Sequence, residues 1–369
     1  FARASTVKTL LLSFLLMSIL IFSNGCATLP VVSEVIDDAP ARQGHRQITS
    51  SKGQLSHQKS KAVMDRLKRS VEQTDILKRH TVVVESVTES PLTKGNKVTL
   101  IADGQATYAA MFKAIGSAQD HINLESYIIE DDETGRTFAD LLLKKRSEGV
   151  HINIIYDSLG CINTPASFFQ RLRDNGIQVV AFNPLNPLEA REKWGLTHRD
   201  HRKILLSDCK VAIIGGINLS NVYSSIPLRR KQNEKAPVHW RDTDIQIEGP
   251  AVAELQKLFL DTWMTQNRAK PAERSYFPES GEIGTALLRV IGSTPGETNR
   301  SPFIVYVSAI SFAEHSIHMT NSYFIPDDQI VEALTDAAER GVDVKIILPG
   351  VTDSQLALHA QRYYYSELL

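Results

Sequence analysis

From residue 97 onward, short apolar runs alternate with amphipathic stretches of helical period. The apolar runs fall at 98–102, 121–129, 150–156, 177–182, 203–207, 211–214 and 243–247, and predict strands. Between them, 108–118, 134–148 and 166–175 predict helices, the last stopped by Gly176. A longer helix is expected over 252–267, with Pro250 at its start. Strands alternating with helices imply an α/β fold.

After 273–284, which reads as a linker, the pattern begins again. Residues 122–132, Ile-Asn-Leu-Glu-Ser-Tyr-Ile-Ile-Glu-Asp-Asp, match 317–328, Ile-His-Met-Thr-Asn-Ser-Tyr-Phe-Ile-Pro-Asp-Asp. A helical stretch follows each, and then Gly149-Val-His-Ile-Asn-Ile-Ile155 matches Gly341-Val-Asp-Val-Lys-Ile-Ile347. Tyr127 and Tyr323 lie 196 positions apart and Gly149 and Gly341 lie 192 apart, so the match needs one small gap. The chain reads as an internal duplication, with repeats at 91–272 and 273–369 expected to face each other.

The amino-terminal pattern differs. Arg3 and Lys8 precede an apolar run at 10–22, too short for a membrane-spanning helix and suited to a signal-peptide core. Small residues then lead into Cys26, which resembles a lipoprotein processing site with Cys26 as the lipidated residue. An uncleaved anchor or ordinary cleavage nearby is the alternative. Either outcome puts the remainder outside the cytoplasm or on a membrane surface, and the expected location is a bacterial cell envelope. Residues 27–56 are polar and aperiodic and read as a tether, giving a segment at 27–90 of tether plus helix. That helix, at 57–80, carries an apolar stripe (Val63, Leu67, Val71, Ile76, Leu77) opposite a mostly basic face. It suits either an anionic lipid surface or packing against a domain.

Composition narrows the function classes. The 41 Lys+Arg against 42 Asp+Glu leave a net charge of −1, which argues against bulk electrostatic capture of nucleic acid. Cysteines at 26, 161 and 209 lack the short spacings of a zinc site, and a chain long enough to bury a sizeable core needs no structural metal to fold. Buried free thiols are the simplest reading of Cys161 and Cys209.

The candidate chemistry lies in His198-Arg-Asp-His-Arg-Lys203, continuing to Asp208 and to Gly215-Gly-Ile-Asn218. His201, Lys203 and Asp208 have the spacing H-x-K-x4-D. Positions 201 and 203 of a strand share a face, which would put an imidazole beside an ammonium. Phosphoryl chemistry calls for that pairing, a nucleophilic or proton-transferring nitrogen next to a fixed cation. Gly215 and Gly216 let backbone approach an anion, and Asn218 adds an amide donor. Gly216 and Asn218 are therefore candidate phosphate contacts. Glu125, on the strand at 121–129, is a further candidate, holding a histidine tautomer or packing in the core. His198, Tyr223 and Trp240 stand nearby in the sequence, with exposure for the histidine and packing for the aromatics as the plainer roles.

H-x-K-x4-D followed by G-G-x-N resembles the phospholipase D superfamily. Tyr223, Trp240-Arg-Asp242, Glu248-Gly-Pro250, Glu125-Ser-Tyr127 and Phe182-Asn-Pro184 extend the resemblance to bacterial cardiolipin synthases with two motifs, over about residues 91–369. The resemblance implies duplicated phospholipase D-like αβ(α) sandwich halves. It also implies two-step phosphatidyl transfer: one motif histidine forms a phosphohistidine, the other protonates the leaving alcohol and activates the acceptor, and the lysines bind phosphate oxygens. Implied substrates are phospholipids such as phosphatidylglycerol at a membrane surface, with no cofactor and no metal.

The sequence departs from that pattern in its second half, which has no H-x-K-x4-D. His201 follows Gly149 by 52 positions, and the same distance from Gly341 runs past Leu369, so the chain reads as part of a longer protein and its second repeat as incomplete. By itself it is expected to be inactive. Hydrolysis by a phospholipase D or nuclease, and a non-catalytic lipid-binding lipoprotein, are the competing readings. Pairing of two chains is possible but not favoured, because the second repeat already holds the partner's place.

Overall fold

A computed structural model describes residues 29–41, 48–70, 75–186, 195, 197–224, 240–266, 271–295, 300–350, 352 and 354–369. The apolar run at 10–22 and Cys26 lie outside them. Among the described residues, no helix is long and apolar enough to cross a membrane. The chain divides into one unit of residues 43–73 and 88–297 and another of 1–42, 74–87 and 298–369.

The larger unit is built on a mixed sheet. Its strands are β1 (Ile48–Ser50), β2 (Gly53–Gln54), β3 (Leu92–Ile101), β4 (His121–Ser126), β5 (His151–Asp157), β6 (Gln178–Phe182), β7 (Ile204–Ser207), β8 (Val211–Gly215), β9 (Asp244–Glu248) and β10 (Ala286–Leu288). They run β2-β1-β3-β9-β8-β7-β4-β5-β6, with β10 added against β3. β4, β5 and β6 are parallel, joined through helices Glu133–Ser147 and Ala166–Asp174, whereas β4 meets β7 antiparallel, with Glu125 opposite Ile204. Both faces of β4 and β5 are covered, so their apolar side chains (Ile122, Leu124, Ile152, Ile154) and the polar ones between them (His121, Asn123, Glu125, His151, Asn153) are all buried.

One face carries Ile122, Leu124, Ile152 and Ile154 and packs against Met111, Ile115, Phe138, Leu142 and Phe169 of the flanking helices. The other carries Ile155, Ile204 and Leu206 and packs against Leu255, Phe259 and Trp263 of helix Ala251–Gln266. Each such large side chain contributes about 1.5–3 kcal/mol by its burial. Helix starts are set locally: the carboxylates of Asp103 and Asp132 accept the backbone N–H groups of Ala106 and Gly135. The result is an α/β sandwich with a layer of helix on each side of the sheet.

The smaller unit repeats part of this order. Helix Ser301–Ser311, β11 (Ser316–Thr320), helix Asp328–Glu339 and β12 (Asp343–Ile347) follow one another. β11 and β12 pair in parallel, as β4 and β5 do. Ile317, Met319, Val344 and Ile346 pack with Ile304, Val307 and Leu334, while Ser316, His318, Thr320, Asp343, Lys345 and Ile347 are exposed. Helices Val32–Asp38 and Ile76–Val87 join this core through Val32 and Val83.

Several boundaries differ from the sequence reading. The expected tether contains helix Val32–Asp38, whose N-terminal Val32 N–H donates to Gln329 Oε1 (2.8 Å), together with β1 and β2. The helix expected over 57–80 is instead His57–Ser70, and a second helix runs Ile76–Val87. The boundary expected at 272/273 moves to 297/298, because the chain returns after the linker to pair β10 with β3. Cys161 and Cys209 are buried free thiols.

Candidate active site

The H-x-K pair lies just before β7 and not inside a strand. The two side chains nevertheless converge: Lys203 Nζ is 3.2 Å from His201 Nδ1 and donates to the His201 carbonyl at 2.5 Å. Lys203 is buried, whereas His201 reaches the surface with one ring face against Tyr127, centroids 4.2 Å apart. The Lys203 ammonium also lies 5.4 Å from the Tyr127 ring centre.

Burial pushes the Lys203 amine down to about 8, opposed by the carboxylates of Asp200, Asp242, Asp244 and Asp157. His201 is held below the usual imidazole value, by desolvation first and the Lys203 charge second, against the pull of Asp200. A neutral imidazole is thus poised beside an ammonium at neutral pH. That combination suits attack on, or proton exchange with, a phosphodiester whose non-bridging oxygens meet the cation.

Loops from the ends of β5 and β6 brace the segment. Asp157 Oδ2 accepts the Asp200 N–H at 2.9 Å, and its Oδ1 accepts those of Leu159 and Gly160 at 2.8 and 3.0 Å. Arg199 Nη1 donates to Ser158 Oγ and to the Asn183 carbonyl, both at 3.1 Å, and lies 3.6 Å from Asp157. The His198 carbonyl accepts from Asn183 Nδ2 at 2.8 Å.

Asp208 is not brought to His201 and Lys203. The four residues of β7 separate it from Lys203, roughly 16 Å of extended chain. Its carboxylate accepts the backbone N–H groups of Gln119 (2.9 Å), Asp120 (2.9 Å) and His121 (3.0 Å), at the start of β4. Asp208 and Cys209 both have φ of 51°, and the Lys210 N–H closes on the Ser207 carbonyl at 2.9 Å. That is the tight turn joining β7 to β8, and an aspartate tolerates its first left-handed position. The x4-D spacing is therefore the length of a strand plus the opening of its hairpin.

The glycine pair and Asn218 are likewise engaged within the protein. A Cβ on Gly216 would overlap the carboxylate of Asp242, and one on Gly215 would overlap that of Asp244. Asp244 is buried, its Oδ1 accepts the Ile217 N–H at 3.1 Å, and burial raises its pKa to about 6. The anions that approach these glycines are two aspartates flanking Lys203. Asn218 accepts the Ile128 N–H at 3.0 Å and donates to Tyr223 Oη at 3.1 Å, and its carbonyl accepts the Tyr108 hydroxyl at 2.7 Å. Tyr223 is buried and packs edge-on to Trp240. Glu125, fully buried, meets Arg202 at 3.1 Å, and no hydrogen bond joins it to His201.

Sequence reasoning did not single out Tyr127, Asp157, Asp200, Arg202 or Asp244 as site residues. Asp200 and Arg202 carried a signal by interleaving with the motif. Among the described residues, no group of three or more His, Cys, Asp or Glu side chains is arranged to hold a metal ion.

A family model described as "Cardiolipin synthase, PLD-like domain" matches residues 111–263 and 306–369. The chain is 33% identical over 287 residues to a cardiolipin synthase of Alkalihalophilus pseudofirmus, covering 76% of this chain and 54% of that protein. It is 36% identical over 281 residues to a cardiolipin synthase A of Pseudomonas syringae pv. syringae, covering 74% and 55%. The chain thus spans about half the length of the curated relatives it matches. Among solved structures it is similar to phosphatidylserine synthase of Haemophilus influenzae, with a TM-score of 0.50 and 15% identity over 79% of this chain and 72% of that one. At that identity the likeness is one of fold.

Proposed function

The chain belongs to the phospholipase D superfamily, in its cardiolipin synthase-like branch, and from that membership we propose that it takes part in phosphatidyl transfer between phospholipids at a membrane surface. The observation that carries the reading is the desolvated Lys203 ammonium within 3.2 Å of a neutral, surface-reaching His201.

In the first step an imidazole nitrogen bonds to the phosphodiester phosphorus and the bond to the leaving alcohol breaks, giving a phosphohistidine. The proton taken up by the alcohol comes from a second imidazolium. In the second step the acceptor hydroxyl returns a proton to that imidazole, its oxygen bonds to phosphorus, and the nitrogen–phosphorus bond breaks. With phosphatidylglycerol as donor and acceptor, the products are cardiolipin and glycerol. His201 fills one of the two histidine roles. Lys203 binds the non-bridging oxygens, whose negative charge replaces part of the water the ammonium has lost. The other histidine comes from a second motif, which the sequence from Phe1 to Leu369 does not contain.

The test is turnover of labelled phosphatidylglycerol in vesicles, by the chain alone and by a form extended to supply a second motif. The extended form should release glycerol and make cardiolipin, the chain alone should not, and His201→Ala in the extended form should lower the rate at least ~100-fold while the protein stays folded. Phosphatidic acid without cardiolipin would favour hydrolysis. Activity retained by His201→Ala would overturn the assignment.

A further inference from the structure

The sheet face covered by helix Ala251–Gln266 holds an acid that the proposed chemistry does not use. Glu125 of β4 is completely buried. Its Oε1 accepts from Arg202 Nη1 at 3.1 Å, while Oε2 has no donor within reach. The Asp200 carboxyl group lies near enough to act on that of Glu125 by its charge and to pair with it once one of the two carries a proton.

Asp200 is also buried and is firmly placed. Its backbone N–H is held by Asp157 Oδ2, and its Oδ1 accepts the Arg202 N–H at 3.1 Å. The Arg202 guanidinium is shared widely: Nη1 also donates to Thr262 Oγ1 (2.6 Å), and Nη2 donates to the Ser293 carbonyl (2.7 Å) and to Thr294 Oγ1 (3.1 Å). β4 therefore contributes Glu125, the motif segment contributes Asp200 and Arg202, and helix Ala251–Gln266 and the 293–294 loop add only hydroxyl and carbonyl groups. Lys203 is already surrounded by Asp157, Asp200, Asp242 and Asp244.

Two ionised carboxylates so placed away from water repel each other, and neither has a hydrogen to offer. One proton on Glu125 resolves both problems, removing a charge and turning the orphaned Oε2 into a donor.

We propose that Glu125 is a neutral carboxylic acid donating its proton to the Asp200 carboxylate, and that this acid–carboxylate pair is the positioning unit behind His201 and Lys203. It ties the 199–203 segment to β4 across the sheet and leaves one negative charge, on Asp200, to act on the histidine and lysine. Burial, followed by the neighbouring Asp200, raises the Glu125 pKa in the same sense, with Arg202 opposing. The pair bears on phosphatidyl transfer only if the proposed function holds, but its protonation is measurable without substrate.

The test is infrared difference spectroscopy between the full chain and Glu125→Gln, with a nuclear magnetic resonance titration of His201 and chemical denaturation. The wild-type chain should show a protonated-carboxyl carbonyl band at neutral pH that Glu125→Gln removes. Glutamine supplies both a donor for Asp200 and an acceptor for Arg202. It should therefore keep the denaturation midpoint and the His201 pKa close to wild type, where Glu125→Ala loses stability. Asp200→Asn removes the charge that supports the imidazolium and should lower the His201 pKa further. Absence of the carboxyl band overturns the proposal. So does a Glu125→Gln protein as unstable as Glu125→Ala, the result expected of an ionised glutamate paired with Arg202. Because both arms are read on the substrate-free chain, loss of the transfer reading leaves them standing, and their failure leaves that reading untouched.

Discussion

At the scale of single residues, Lys203 shows how the site is held ready. Its amine is pushed down to about 8 from an ordinary 10.5, so between those pH values the unfolded chain binds a proton that the folded chain does not. Stability should therefore rise as pH increases from about 8 to about 10.5. Below 8 the full cost of burying the ammonium is present, roughly 3 kcal/mol for a shift of that size. Urea denaturation of Lys203→Met should lack this rise. In the proposed reaction that cost has a use: a phosphate oxygen arriving at Lys203 would meet a cation stripped of competing water. Gly216 makes a second residue-scale case. Gly216→Ala would drive a methyl into the Asp242 carboxylate and should impair turnover in the extended form. Gly149→Ala meets nothing within 4 Å and carries only the strain of a φ of 95°, so it should cost about 1 kcal/mol of stability and little activity.

At the scale of elements, β7 connects two kinds of work. Its N-terminal approach carries His201 and Lys203, and its C-terminal hairpin places the Asp208 carboxylate on three N–H groups at the start of β4. Asp208→Ala leaves those donors without their acceptor, and partly buried N–H groups cost about 1–3 kcal/mol each when unpaired. A stability loss on the order of 3 kcal/mol is expected by chemical denaturation, with Asp208→Asn intermediate. The motif aspartate is legible from sequence as part of H-x-K-x4-D, yet its partners are not. Gln119 to His121 lie almost ninety positions earlier, and only the β4–β7 register brings them close. The strands themselves were readable to within a few residues because one face of β4 and β5 is a regular apolar row, Ile122 and Leu124 beside Ile152 and Ile154.

At the scale of the whole molecule, the two repeats share an order of elements but not a degree of burial. β4 and β5 lie inside a broad sheet covered on both faces, whereas β11 and β12 expose every second side chain. Backbone amides of β11 and β12 should exchange with solvent faster than those of β4 and β5, measured by hydrogen–deuterium exchange of the intact chain. The duplication was visible because Gly149 and Gly341 begin matching strands and because Asp132 and Asp328 close matching segments before a helix. The unit boundary was not, because a linker-like composition over 273–284 says nothing about a chain that turns back to pair β10 with β3.

The sequence by itself determined the α/β order and the repeat and singled out His201 and Lys203 as a candidate pair, since period and spacing are properties of a short window of chain. Tertiary structure alone decided what the other motif residues do. It set Asp208 on the β4 amides, seated Asp242 and Asp244 against Gly216 and Gly215, engaged both ends of Asn218 inside the fold, and turned Glu125 toward Asp200 and Arg202. Each of these depends on which distant groups are buried together. A charge or a hydrogen bond takes its meaning from the partner and the water it has lost, and sheet register supplies that partner from outside any local window.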